Sequence, residues 1–260
     1  MGEVKYTIME LMACAAARVL EDKKTVFVGT GLPMIAAMLA QRTHAPNLVI
    51  VFEAGGLGPQ IPTLPISVGD SRTFYKSFMA TSMHYVMALG NIGYYDYGFL
   101  GAAQIDQYGN INTTVIGDWR KPKVRLPGSG GANDVGSFCW RTIILMRQDK
   151  RRFVEKVDYI TTPGYLDGPG ARERAGLPAG TGPYRVITQL GVYGFDEKTK
   201  RMMLLSVHPG VTVEQVKENT GFELIIPEKV GVTEPPTEEE LKILREIDPA
   251  GIVLGRAKKS

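Results

Sequence analysis

The chain has few of the residues that build metal and redox centres. Cysteine occurs twice and histidine three times in 260 residues. Cys14 and Cys139 follow no metal-ligand spacing, and His44, His84 and His208 stand far apart, so no zinc motif is present. No stretch approaches the ~18 consecutive apolar residues of a membrane-spanning helix, and the first residues carry no signal-peptide pattern. A soluble, cytoplasmic protein is the expectation. Strong charge is missing too. A net charge of +3 is too small to argue for nucleic acid or a membrane surface as partner. The basic end Lys258-Lys259-Ser260 is short and expected to fray. Neither an internal repeat nor a flexible linker is visible.

What the chain does have is apolar residues, 44%, enough for a sizeable core, and glycine, 30 of 260, against a usual share of about 7%. The glycines are scattered, which implies tight turns and close backbone approaches. One stretch combines both features. Leu48-Val49-Ile50-Val51-Phe52 is an apolar run of the right length for a strand buried on both faces, and it leads into Glu53-Ala54-Gly55-Gly56. Glu53 therefore falls at the carboxyl end of a buried strand, where open α/β sheets place their ligand crevices. An acid there suits a nucleophile or a general base. On this stretch alone, an acid that caps a turn or pairs with a lysine is the commoner case.

The rest of the pattern supplies an α/β frame. Residues 7–20 carry a helical apolar face from Ile8 to Leu20. Thr25–Val28 reads as a strand, Gly29-Thr30-Gly31 as a turn, and Pro33 as the first turn of a helix to about Gln41. That order is a βαβ unit. The turn could approach a ligand, although it lacks a third glycine and a P-loop lysine. A helix is expected from about Arg72 to Leu89, capped by Asp70 or Ser71. Strands are expected at Phe99–Ile105, Ile111–Ile116, Thr142–Met146 and Val157–Thr161. Small residues at 101–103 suggest close packing over them. Gly128-Ser129-Gly130-Gly131-Ala132-Asn133-Asp134 is the densest glycine stretch, either a surface loop or an anion-binding one. Pro163–Gly182 reads as an irregular excursion, followed by an antiparallel set at Tyr184–Thr188, Gly191–Phe195 and Met202–Val207. Thr212-x-x-Gln215 and Thr237-x-x-Glu240 are capping boxes opening helices of about eight and eleven residues. The fold class expected is α/β over one domain, 1–260, with an open, mostly parallel sheet, flanking helices and an antiparallel, hairpin-rich section.

Three stretches taken in order carry a resemblance: Glu53-Ala54-Gly55-Gly56, Gly101 through Asn112, and Gly128 through Asn133. Gly29–Pro33, Asp149–Phe153, Pro163–Gly170 and Asn219–Phe222 extend it over nearly the whole chain. Together they resemble the β subunit of family I coenzyme A transferases, the glutaconate type above all. The resemblance implies that Glu53 is the catalytic glutamate. It would attack an acyl-CoA thioester, giving an acyl–glutamyl anhydride and CoA thiolate, and the thiolate would return to leave Glu53 as a CoA thioester. An acceptor carboxylate, by family a dicarboxylate or oxo-acid, would then reverse the sequence. Gly130, Gly131, Ala132 and Asn133 would line the thioester beside Gly55, with the amides of Gln104 and Asn110 orienting substrate. Permanently bound cofactors and metals are not needed; the coenzyme A thioester is itself a substrate. The sequence departs from Glu-Ser-Gly of the glutaconate type and Glu-Asn-Gly of other members by having Glu-Ala-Gly-Gly. Steroid-ring hydrolases and a decarboxylase of the same superfamily lack this glutamate, so Glu53 favours transfer over their chemistries. The resemblance also implies a different α subunit as partner, in an α2β2 or larger hetero-oligomer, covering the crevice through Leu57–Gly69 and Pro163–Gly182. An acyl-CoA hydrolase, a non-catalytic ligand-binding domain and an assembly subunit are the alternatives.

Overall fold

The computed structural model describes residues 5–256, so the tail Lys258–Ser260 lies outside it. Helix α1 (Ile8–Ala17) opens on a capping box, in which Thr7 Oγ1 accepts from the Glu10 backbone at 3.1 Å and Glu10 Oε2 accepts from the Thr7 backbone at 2.7 Å. Strand β1 (Thr25–Val28), helix α2 (Leu32–Arg42) and strand β2 (Val49–Phe52) form the expected βαβ unit, with β1 and β2 paired in parallel from Thr25↔Val49 to Val28↔Phe52. The chain then folds back through β3 (Gly56–Leu57), a 3-10 turn (Ser71–Phe74) and β4 (Met79–Ala80), an antiparallel flap that forms one edge of the sheet.

Helix α3 (Met83–Asn91) returns to β5 (Tyr97–Leu100), which runs parallel to β1. Two small hairpins stand apart from the main sheet, β6 (Gln104–Ile105) with β7 (Ile111–Asn112), and β8 (Val115–Gly117) with β9 (Pro122–Arg125). Helix α4 (Ala132–Phe138) leads into β10 (Arg141–Leu145), parallel to β5. After the short α5 (Ala171–Arg174), strand β11 (Pro183–Ile187) adds in parallel to β10. Strands β12 (Gly191–Phe195) and β13 (Met202–Val207) follow antiparallel. Helix α6 (Val213–Glu218), strand β14 (Gly231–Val232) and helix α7 (Glu238–Ile247) complete the chain, with both expected capping boxes in place. The main sheet thus reads β14-β13-β12-β11-β10-β5-β1-β2-β3-β4, parallel from β11 to β2, antiparallel at β11-β12-β13 and at β2-β3-β4, with β14 added in parallel to β13 at one edge.

The alternation of side chains along the central strands builds two cores. Val26, Val28, Ile50, Phe52, Phe99 and Ile143 face α1, α2 and α7, while Phe27, Val51, Leu100, Ile144 and Val186 face the opposite layer with Val86 and Val135. Each such side chain, fully buried, contributes about 1.5–3 kcal/mol. Both cysteines belong to these cores, and burial pushes each thiol up to about 12.

Five expectations change. The stretch from Arg72 to Leu89 is not one helix. Gly55 and Gly56 bring the backbones of Thr81 and Thr73 into contact, so Met79–Ala80 pairs with Gly56–Leu57 and α3 starts only after its cap, Ser82. Asp70 caps the 3-10 turn instead, accepting from the Arg72 backbone at 3.0 Å. The run 99–105 breaks after Leu100, where pairing with β10 ends, and 111–116 splits into β7 and β8. Residues 157–161 form no strand, because their backbone groups bond to Gln104 and Ile111 singly. Gly101 is exposed, with only the Leu145 carbonyl near it, so the close cover expected over 101–103 is missing at Gly101, while Ala102 packs against the second core.

Candidate active site

Glu53 is the first residue past β2, and the strand alternation aims it to the α3/α4 side of the sheet. There it meets two elements. The position a Cβ would take on Gly131 lies 3.5 Å from Glu53 Oε1 and 3.2 Å from Met87 Cε, so Glu53, helix α3 and the turn into α4 converge. Glu53 is half-buried, and among the described residues its carboxylate has neither a hydrogen-bond donor nor a cation within reach. The reading of a turn-capping or lysine-paired acid is not the one the structure adopts.

The glycine loop is shaped for close approach. Gly130 has φ of +48°, which favours glycine, whereas Gly131 has φ of −79°, which any residue accepts. What Gly131 needs is the space that a side chain would fill. Among the described residues nothing accepts a hydrogen bond from the backbone N–H of Gly130 or Gly131. The next two N–H groups are committed: Ala132 donates to the Ser129 carbonyl at 2.9 Å, and Asn133 to Ser129 Oγ at 3.1 Å. The Asn133 amide itself donates to the Thr161 carbonyl at 3.1 Å. Ala132 and Asn133 therefore hold the loop, and the two free donors lie just before them.

Three other residues expected at the site serve the scaffold. Gly55 donates to the Phe52 carbonyl and accepts from the Thr81 backbone, each at 2.9 Å, and a Cβ on it would stand 1.8 Å from the Thr81 carbonyl oxygen. Gln104 donates to Asp158 at 3.0 Å and accepts from Asn112 at 2.7 Å. Asn110 donates to Asp106 and the Leu166 carbonyl, each at 2.9 Å, and accepts from the backbones of Gly164 and Leu166. Both amides are buried and bonded within the chain, Asn110 through both of its N–H groups and twice at its oxygen, which favours a scaffold role for it over orienting a substrate. Asn110 in fact pins the start of the Pro163–Gly182 excursion. Asp106, in the same turn, is buried, which raises its carboxyl to about 6 against three hydrogen bonds that favour the anion.

Two contributors were not anticipated. Met87 flanks Glu53, and nothing local marks it. Arg172 is fully buried and donates to the carbonyls of Gly136 and Ser137 in the last turn of α4, to those of Pro163 and Gly164, and to Thr181 Oγ1. It ties α4 to the excursion. One signal for α4 was present in the sequence: Gly98 is a glycine inside a strand, and its absent side chain makes room for Val135 and Cys139. On the other face, at the carboxyl ends of β1, β5 and β10, a cleft of about 700 Å³ is lined by Gly29, Thr30, Leu32, Pro33, Met12 and Leu145.

The family model for coenzyme A transferases matches residues 9–219. The chain belongs to the coenzyme A transferase family. It is 43% identical over 258 residues to the B subunit of glutaconate CoA-transferase from Acidaminococcus fermentans, covering 94% of this chain and 93% of that one. It is also 43% identical over 250 residues to the B subunit of 3-oxoadipate CoA-transferase from Pseudomonas knackmussii, 94% of each. The crystal structure of the Acidaminococcus fermentans glutaconate coenzyme A-transferase superposes with a TM-score of 0.92 at 41% identity, covering 97% of this chain and 99% of that one. The CoA-transferase fold class and the enzyme class are as the sequence implied. Both of these relatives are named as B subunits of their enzymes. No described helix is long and apolar enough to cross a membrane.

Proposed function

We propose that this chain is the B subunit of an enzyme that moves coenzyme A between a five- or six-carbon dicarboxylic acyl-CoA and a free carboxylate, with Glu53 as the covalent nucleophile. The observation that carries the proposal is a half-buried carboxylate with no internal partner, set against two backbone N–H groups that are also unpartnered. A structural acid at a strand end would have been satisfied locally. The dicarboxylate class is drawn from the two relatives at 43% identity, which act on glutaconate and 3-oxoadipate.

In this reading Glu53 attacks the thioester carbonyl, whose oxygen takes up negative charge. The N–H groups of Gly130 and Gly131 stabilise that oxyanion. The C–S bond breaks, releasing CoA thiolate and an acyl–glutamyl anhydride. The thiolate attacks the Glu53 carbonyl of the anhydride, frees the first carboxylate and leaves a glutamyl–CoA thioester. The acceptor carboxylate runs the same steps backward. No metal or bound cofactor takes part. The A subunit closes the rim over Glu53 and keeps water from the anhydride; the exposed Phe78, Met83 and Tyr85 beside β4 offer it an apolar surface.

The test uses the co-purified A/B complex. Incubation with a dicarboxylyl-CoA alone, then borohydride, should reduce the thioester at Glu53, abolish activity and alter the mass of the peptide that holds it. Glu53→Gln keeps the shape, escapes labelling and should lose several orders of magnitude in turnover. A Glu53→Gln complex that transfers CoA at the parental rate would overturn the assignment.

A further inference from the structure

The β8–β9 hairpin takes no part in the main sheet or in either core. Between Asp118 and Arg125 it carries Arg120, Lys121, Lys123 and Arg125 against one acid, a local excess equal to the net charge of the whole chain, +3. Among the described residues none of these four cations is ion-paired. Asp118 turns its carboxylate inward, accepting from the backbones of Arg120 at 2.7 Å and Lys121 at 3.1 Å. Trp119 stacks on Tyr159 with ring centroids 5.1 Å apart, and the Arg125 guanidinium lies 4.6 Å from the Trp119 ring. Yet Trp119 remains 50% exposed and Tyr159 38%. A tryptophan and four unpaired cations on one exposed hairpin contribute little to folding.

The hairpin is also wired to the site. Gly117 donates to Asp158 at 2.9 Å, Leu126 to the Thr114 carbonyl at 3.0 Å and Gly128 to that of Thr113 at 2.9 Å. Two residues later the backbone reaches the free N–H groups beside Glu53. From Pro122 to Gly131 the chain can span at most about 30 Å. That arrangement suits a ligand whose reacting carbonyl is neutral and whose far end is a polyanion with an aromatic base.

We propose that the β8–β9 hairpin is the docking site for the nucleotide end of the coenzyme A ester. The adenine adds to the Tyr159–Trp119–Arg125 stack, and the pyrophosphate and 3′-phosphate pair with Arg120, Lys121 and Lys123. This rests on the transfer reading above. It extends that reading, because binding energy gathered far from the thioester holds the acyl group against Glu53.

The experiment compares glutaryl-CoA with glutaryl-pantetheine, which keeps the thioester and lacks the nucleotide. It uses the A/B complex, parental or with Lys121→Glu and Lys123→Glu together, and titrates adenosine 3′,5′-bisphosphate by calorimetry. Charge reversal should raise KM for the CoA ester about tenfold at low salt with kcat little changed. The parental KM should climb with added salt and that of the variant should not. With the pantetheine ester the difference between the two proteins should vanish. Trp119→Ala should weaken the bisphosphate without altering the salt dependence. An unchanged KM for the CoA ester, an equal loss for both esters, or loss of the A subunit from the charge-reversed complex on gel filtration would each overturn the proposal; the last would make the hairpin a subunit contact. If the parental complex turns over neither ester, the transfer reading has failed, and the titration alone decides. Bisphosphate binding that charge reversal removes then supports the hairpin site, and no binding overturns it.

Discussion

Replacing Gly131 by valine isolates the space beside Glu53 from the stability of the fold. The backbone there has φ of −79° and ψ of 1°, so valine avoids the left-handed region and its conformational cost is modest. Its Cβ would meet Met87 Cε at 3.2 Å, the far end of a flexible side chain that can give way, and Glu53 Oε1 at 3.5 Å, an ordinary contact. The cost to folding is therefore small, about 1 kcal/mol or less. The two methyls, one bond further out, crowd the Glu53 carboxylate, beside which the transfer reading places the thioester carbonyl. Losing one oxyanion donor typically lowers kcat by about 10²–10³, and that is the loss expected here. Gly55→Ala is the contrast: its Cβ falls 1.8 Å from the Thr81 carbonyl oxygen, so that variant should fail to fold or melt many degrees lower. Thermal melts together with turnover of the A/B complex at saturating acyl-CoA separate the cases. A Gly131→Val complex that melts like the parent and transfers CoA at the parental rate would refute the placement of the thioester.

Arg172→Met should destabilise by about 3 kcal/mol or more in denaturant melts, since it leaves five buried acceptors on α4 and the excursion without a donor. Asp106 gives a pH signature. Its folded carboxyl, raised to about 6, takes up a proton where the unfolded chain does not, so its contribution is fully present below the unfolded value of 3.8 and is lost as pH rises through about 6. Asp106→Asn should remove that fall from the stability–pH curve over pH 4 to 6, whatever its absolute stability. Expressed without its A subunit, the chain should be inactive and self-associated, and co-expression should restore turnover; a fully active monomer would refute the need for a partner.

The sequence was most legible where structure is local. The capping boxes at Thr212 and Thr237 and the strands β1 and β2 depend on neighbours in the chain, and they lie where expected. Residues 72–89 were misread because Met79 and Ala80 are claimed by Gly56 and Leu57, a pairing across more than twenty residues that apolar periodicity does not report. Helix α4 is only seven residues long, and a guanidinium more than thirty residues away bonds the carbonyls of its last turn. For the proposed site, the strand end that carries Glu53 and the glycine stretch that holds Gly131 are both legible in the sequence, and their roles are the proposal made above. Gln104 and Asn110 are ambiguous in the sequence, since an amide reads the same whether it faces a ligand or, as here, a carboxylate of its own chain, Asp158 for Gln104 and the buried Asp106 for Asn110. Met87 left no trace at all, because an apolar residue on a helix face reads as core.

The burial of Cys14 and Cys139 has a practical side. With both thiols pushed up to about 12 by burial, neither is a thiolate at neutral pH, and neither is accessible to reagent. The chain is therefore chemically silent toward maleimides and disulfide probes while it stays folded. One cysteine introduced at an exposed position, such as Lys121→Cys, becomes its single alkylatable point. A dye placed there reports on whatever approaches the β8–β9 hairpin, and sudden labelling at the two native positions reports unfolding in the same tube.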